Sequence, residues 1–142
     1  MSRKTNIFEK SLASFIDVTI IFLLSAPIVL ILSINKWQLL TIGIFFLYNV
    51  LFLLFNRNRS LGMIIVGVEW AKAYSMQQKV IWLILYTASF STLLIWIWFP
   101  FDLFLINMLL LQLPSILVTG TTFHGLISGR METVKLTNNQ EI

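Results

Sequence analysis

Among the residues that could do chemistry, Asp17 stands first. It lies in the apolar stretch from Lys10 to Ile34, KSLASFIDVTIIFLLSAPIVLILSI, about two turns from its N-terminal end. A carboxylate at the centre of a membrane helix costs ~2.5–3.5 kcal/mol, and less near an interface. A protein partner, a water-filled cavity or protonation must offset that cost. Three roles are open to the group. It could be an ion or proton site, since intramembrane carboxylates mark such pathways. It could be interhelical glue, at ~0.6 kcal/mol per hydrogen bond on average. It could also snorkel to the surface beside Lys10, seven positions earlier on the same helix face. Other apolar runs carry polar residues at matching positions. Asp17 lies six residues after Ser11 and Asn49 six before Phe55; Tyr86 and Thr87 lie six and seven after Val80, and Gln112 six before Val118. If the runs alternate in direction, these levels coincide ~9–10 Å below one boundary. Asp17, Asn49, Thr87 and Gln112 would then form one intramembrane polar layer.

His124 is the single histidine. It has no clustered partner in sequence for metal binding or general base work, so an interfacial hydrogen-bonding role is expected. The chain contains no HExxH, GxSxG, P-loop or GxGxxG motif. It also contains no cysteine, which removes disulfides, thiolate metal ligands and cysteine catalysis. The expectation is a protein that is not an enzyme, with no catalytic residue, metal or cofactor.

The elements that must position these residues are apolar helices. Hydrophobic residues make up 58% of the 142, charged residues only 11%, and mean hydropathy is +0.87. Soluble domains carry roughly 25% charged residues, so the class is integral membrane protein, its first partner the lipid bilayer. The fold expected is all-α: a four-helix transmembrane bundle with an interfacial amphipathic segment between spans 2 and 3. The spans are read at about 11–34, 38–55, 80–99 and 101–118. The interfacial segment is read at 60–78 and a cytoplasmic tail at 120–142, all in a single domain. Residues 1–9 read as a polar leader. The basic residues Arg3, Lys4 and Lys10 invite a signal-peptide reading, but the apolar run far exceeds the usual ~7–15 residues and holds Asp17, so an uncleaved first span is expected. Pro27 should kink that span. Asn35, Lys36 and Trp37 form a tight connection, and Asn56–Ser60 a loop. Met63–Trp70 could be an interfacial helix or a short strand, with Trp70 and Tyr74 at headgroup depth. Pro100 and Asp102 mark a turn, because one helix through residues 80–118 would run about 57 Å across a core ~30 Å thick. Trp96, Trp98, Phe99 and Phe101 form an aromatic belt there.

The net charge is +4. With four spans and the N-terminus inside, nine of the ten basic residues fall on the cytoplasmic side and only Lys36 outside, a strong positive-inside bias. Both termini are therefore expected in the cytoplasm. No basic face is present, which argues against nucleic acid as a partner.

Three segments together resemble the RDD family of small bacterial membrane proteins. Residues 10–17, KSLASFID, are similar to the family's Arg-x-x-Ala-x-x-(Ile)-Asp, with Ala13 and Asp17 matching and Lys10 in place of the arginine. Residues 60–68, SLGMIIVGV, are similar to Thr-Leu-Gly-Lys-x-x-x-Gly-(Leu/Val), with Gly62 and Gly67 matching and Met63 in place of the lysine. Residues 122–129, TFHGLISG, are similar to Thr-(Leu)-His-Asp-x-(Leu)-x-Gly, with His124 and Gly129 matching and Gly125 in place of the second aspartate. The resemblance implies a multi-pass protein of the bacterial cytoplasmic membrane with a transport-related or ion-handling role. The alternative is a non-transporting membrane subunit that scaffolds or stabilises a partner complex. Four spans enclose little volume, so a homo-oligomer or a membrane-protein partner is expected.

Overall fold

The computed structural model describes residues 2–32, 36–55, 59–95 and 102–136. Asn35, Arg57, Pro100 and the belt residues Trp96, Trp98, Phe99 and Phe101 lie outside the described residues.

The chain begins with strand β1 (Ser2–Lys4) and enters helix α1 (Ile7–Leu32) through a reciprocal cap. Asn6 Oδ1 accepts the Glu9 N–H at 2.8 Å, while Glu9 Oε2 accepts the Asn6 N–H at 3.0 Å. Two otherwise orphaned donors are satisfied at once. The helix continues through Pro27, where one backbone hydrogen bond is lost. Its buried residues are Glu9, Ala13, Asp17, Ile21 and Ser25. They recur every fourth position, one ridge of the helix surface, and leave the Phe and Leu side chains on the outside.

Helix α2 (Trp37–Phe55) returns alongside α1 and buries Thr41, Phe45, Tyr48 and Asn49. Helix α4 (Met76–Leu94) packs on this pair through Phe90 and Leu94, which join Ile21, Phe45 and Tyr48 in the main apolar core. The Phe45 and Phe90 rings stack at 3.9 Å between centroids, and Tyr86 tilts against Phe45 at 5.1 Å.

Between α2 and α4 come a six-residue helix, α3 (Leu61–Val66), and strand β2 (Val68–Trp70). Gly67, at φ +74°, separates them. Its left-handed backbone closes the helix and releases the chain into the strand. After α4 come α5 (Leu103–Ile106), a π-helical stretch Asn107–Gln112 and α6 (Leu113–Thr119), which run on as one apolar rod. The π register follows from Pro114: with no N–H it cannot bond to Leu110, and the Leu113 N–H reaches back five residues to Met108. Helix α7 (Phe123–Ile127) and strand β3 (Thr133–Leu136) complete the described chain.

The three strands form one antiparallel sheet in the order β1-β3-β2, with Arg3 and Val68 both opposite Lys135. Glu9 is buried at its edge, bonded to Arg3 and 3.2 Å from the Lys135 ammonium. The sheet thus fastens the N-terminal segment, the connection between α2 and α4, and the C-terminal segment together at one end of the helices.

The described chain is mostly helical, as expected, and this small sheet is an addition to the all-α expectation. Strands of three or four residues carry too little alternation to be read against a helical background. Residues 1–9, expected as a polar leader, supply β1 and the cap of α1. The interfacial segment 60–78 divides into α3 and β2, so both readings of Met63–Trp70 apply to part of it. The expected tail at 120–142 supplies helix α7 and strand β3.

Among the described residues, α1 and α2 are long and apolar enough to cross a membrane, with mean hydropathies of 2.6 and 2.1. Only 17% and 22% of their apolar windows are buried. A core helix of a soluble protein would be mostly covered, so these faces need another apolar environment. Of the four expected spans, the first two correspond to these helices among the described residues. Lys79 and two glutamines in the first turn of α4 lower its hydropathy, and Leu103–Thr119 is shorter.

Candidate functional site

Asp17 projects from the buried ridge of α1 onto the N-terminus of α3. Its Oδ1 accepts the Tyr48 hydroxyl at 2.6 Å and the Gly62 N–H at 2.8 Å. Its Oδ2 accepts the Ser60 hydroxyl at 2.6 Å. The same hydroxyls accept in turn from the backbone: Tyr48 Oη from the Leu61 N–H at 3.1 Å, Ser60 Oγ from the Met63 N–H at 3.2 Å. Three successive N–H groups at the start of α3 therefore end on Asp17, one directly and two through a hydroxyl. A helix start leaves such donors unpaired and carries partial positive charge, so the buried carboxylate and the short helix satisfy each other.

The fit depends on Gly62. A Cβ there would lie 2.0 Å from the Ala13 carbonyl oxygen and 2.9 Å from the Asp17 carboxyl carbon. Only a glycine lets α3 approach α1 closely enough for its N–H to reach Asp17. The matched pair Ala13 and Gly62 is the contact surface, and Gly67 ends the helix so presented.

A cavity of about 70 Å³ opens beside this clamp, enough for water molecules. Lys10 and Asp17 line it from α1, Ser60 and Met63 from the start of α3, and Thr122 and His124 from α7. Lys10 does not pair with Asp17. Its ammonium donates to the Gly120 carbonyl, where a cation complements the C-terminal end of α6. His124 is buried, with its ring against Trp82 and Tyr86 at 5.6 and 5.1 Å. Its Nε2 lies 3.0 Å from Thr122 Oγ1, while Nδ1 has no hydrogen-bond partner among the described residues. Burial, and secondarily the Lys10 cation, pushes its pKa down to about 3, so the imidazole is neutral at physiological pH.

The single polar layer expected from depth divides into separate sites. The Asn49 amide turns back to its own helix and donates to the Phe45 carbonyl at 2.9 Å. The Thr87 hydroxyl is buried without a partner among the described residues. Gln112 belongs to a second cluster: its amide donates to Asn107 Oδ1 at 3.2 Å and Ser89 Oγ at 3.4 Å, and its oxygen accepts the Phe123 N–H at 3.2 Å. Asn107 donates to Ser89 Oγ at 2.6 Å and to Thr92 Oγ1 at 3.2 Å. The wide π turn puts these residues, five apart, on one face. Depth fixes height along a helix but not direction around it. One residue turns the direction by about 100°, which is why Tyr48 and not Asn49 meets Asp17.

The two glycines of the last segment differ in use. Gly129 sits at φ +95°, and a Cβ there would strike the Gln78 amide at 2.4 Å. At Gly125 a Cβ would lie 2.9 Å from the Met131 carbonyl oxygen, so this backbone leaves no room for the family's second aspartate. Tyr48, Ser60 and Glu9 were missed in the sequence. The fourfold spacing Glu9-Ala13-Asp17-Ile21-Ser25, small or polar at every position but Ile21, is the available sign for Glu9.

Comparison with family models, with curated proteins and with solved structures gives no match. Among the described residues no group of three or more His, Asp or Glu side chains could hold a metal ion.

Proposed function

We propose that the chain is an RDD-like four-span protein of a bacterial cytoplasmic membrane, with both termini in the cytoplasm and a transport-related, ion-handling role centred on the cavity at Asp17. The observation that carries this reading is convergence. The three segments of the resemblance are separated by some 40 residues or more in sequence, yet residues of all three line one cavity. Topology has its own support. The strands from residues 2–4, 68–70 and 133–136 share a sheet, so the chain must leave and return between each pair of them. The pair α1 and α2 makes one such excursion, and α4 with Leu103–Thr119 makes the other.

In this reading the Tyr48 and Ser60 hydroxyls are the adjustable ligands. Either can rotate its proton away from Asp17 and offer a lone pair to a cation, which the Gly62 N–H cannot do. The test is ion flux into proteoliposomes containing the wild-type chain or Asp17→Asn, with sodium and proton gradients applied separately. The expected result is flux that falls in Asp17→Asn at unchanged folded yield. Identical leakage from both would overturn ion handling.

A second reading, a membrane subunit that scaffolds a partner complex, draws on one specific observation. All three donors around Asp17 are engaged in holding α3 against α1, which is a structural use of the charge. A particle in mild detergent larger than this chain and its lipid accounts for would favour it.

A further inference from the structure

A second cavity, of about 270 Å³, also touches Trp70 and lies between Arg59 and the first turn of α4. Arg59, Lys72 and Lys79 line it, with Glu69 the one acid among the described lining residues. The cations are poorly neutralised. The nearest Arg59 nitrogen is 3.9 Å from Glu69, its Nε is buried with no hydrogen-bond partner among the described residues, and neither lysine has an ion pair among them. Lys72 is held over the Tyr74 ring at 5.4 Å, which points a cation at the cavity without neutralising it.

We propose that this cavity binds the phosphate head group of an anionic phospholipid in the cytoplasmic leaflet. The proposal rests on the membrane reading above. A fork of guanidinium donors and two ammonium groups matches a phosphodiester. The surroundings favour a lipid over a soluble phosphate. Tyr74 and Trp70 flank the site as residues of the headgroup layer do. Next to Lys79 along α4, Val80 and Ile81 are exposed, with Met76 one turn earlier, giving an apolar track for an acyl chain. Basic pockets at the cytoplasmic ends of membrane helices suit such head groups.

The experiment begins with carbonate-washed membranes from cells expressing the chain. Loss of the protein from the washed membrane would overturn the membrane reading itself. The retained protein is purified in detergent. Binding of phosphatidylglycerol, phosphatidylcholine and soluble glycerol phosphate is then measured by native mass spectrometry. Each basic residue near an anionic surface strengthens attachment about fivefold. Phosphatidylglycerol should therefore bind at least about tenfold more tightly than phosphatidylcholine. That preference should vanish in Arg59→Gln/Lys72→Gln/Lys79→Gln, shrink in the exposed single change Lys72→Gln, and persist in Lys36→Gln. Circular dichroism serves as the check on folding of each variant. Equal binding of the two lipids, an unchanged preference in the folded variants, or equally tight binding of glycerol phosphate would each overturn the lipid site.

Discussion

At the scale of the residue, Asp17 holds three donors in place, and its substitutions separate charge from shape. Asparagine keeps an acceptor for Tyr48 and Gly62, and its amide can donate to Ser60 if that hydroxyl rotates. Asp17→Asn should fold with normal yield and with activity reduced rather than lost. Asp17→Leu should leave Tyr48, Ser60 and the Gly62 N–H unpaired, at ~1–3 kcal/mol for each. Folded yield and thermal unfolding in detergent measure the difference; equal yields for both variants would contradict the clamp. Gly62→Ala should destabilise by ~3 kcal/mol or more, the upper range for overpacking, because its methyl would meet the backbone of Ala13 rather than a yielding side chain. A Gly62→Ala protein with unchanged unfolding would mean that α3 does not sit on α1. Asp17 was legible in the sequence because a charge in an apolar run has no cheap explanation. Its partners were not. Ser60 and the Gly62 N–H come from a polar connection expected at the membrane surface, and no rule of spacing links them to position 17.

At the scale of the element, the short pieces carry more of the arrangement than the long ones. Helix α7 buries His124 in its neutral form against α4. The sign of the resulting pH dependence follows from linkage. Burial lowers the folded-state pKa to about 3 from the ordinary value of 6.5, so between these values the unfolded chain binds more protons. The contribution is whole above pH 6.5 and is lost as pH falls toward 3. Unfolding followed from pH 8 to pH 4 should show stability falling below about pH 6.5, and that component should be absent in His124→Gln. A profile identical in the two proteins would contradict the burial of the ring. The long helices α1 and α2 were readable from hydropathy alone. The strands were not, since three residues of β1 and three of β2 gain meaning only by pairing with β3. The π turn was signalled by Pro114, but a proline tells where a helix must adjust and not how.

At the scale of the whole molecule, one sheet gathers the N-terminal segment, the segment between α2 and α4 and the C-terminal segment at one end, and the clamp at Asp17 ties that end to the apolar helices. The positive-inside count pointed to the same grouping from charge alone. A reporter fused after Ile142 should accordingly be active on the cytoplasmic side, and a periplasmic signal would mean that α4 and Leu103–Thr119 do not return. The most direct test is a cross-link in the sheet itself. The chain has no cysteine, so Lys4→Cys/Val134→Cys introduces one pair, at positions directly opposite in the β1–β3 ladder. Opposed antiparallel residues have Cα atoms about 4.5–5.5 Å apart, within the range a disulfide spans. Oxidation of membrane vesicles should close this bond. A membrane-impermeant thiol reagent should block it in inside-out vesicles and leave it unaffected in right-side-out ones. No cross-link, or two cysteines reached from opposite faces of the membrane, would contradict the account.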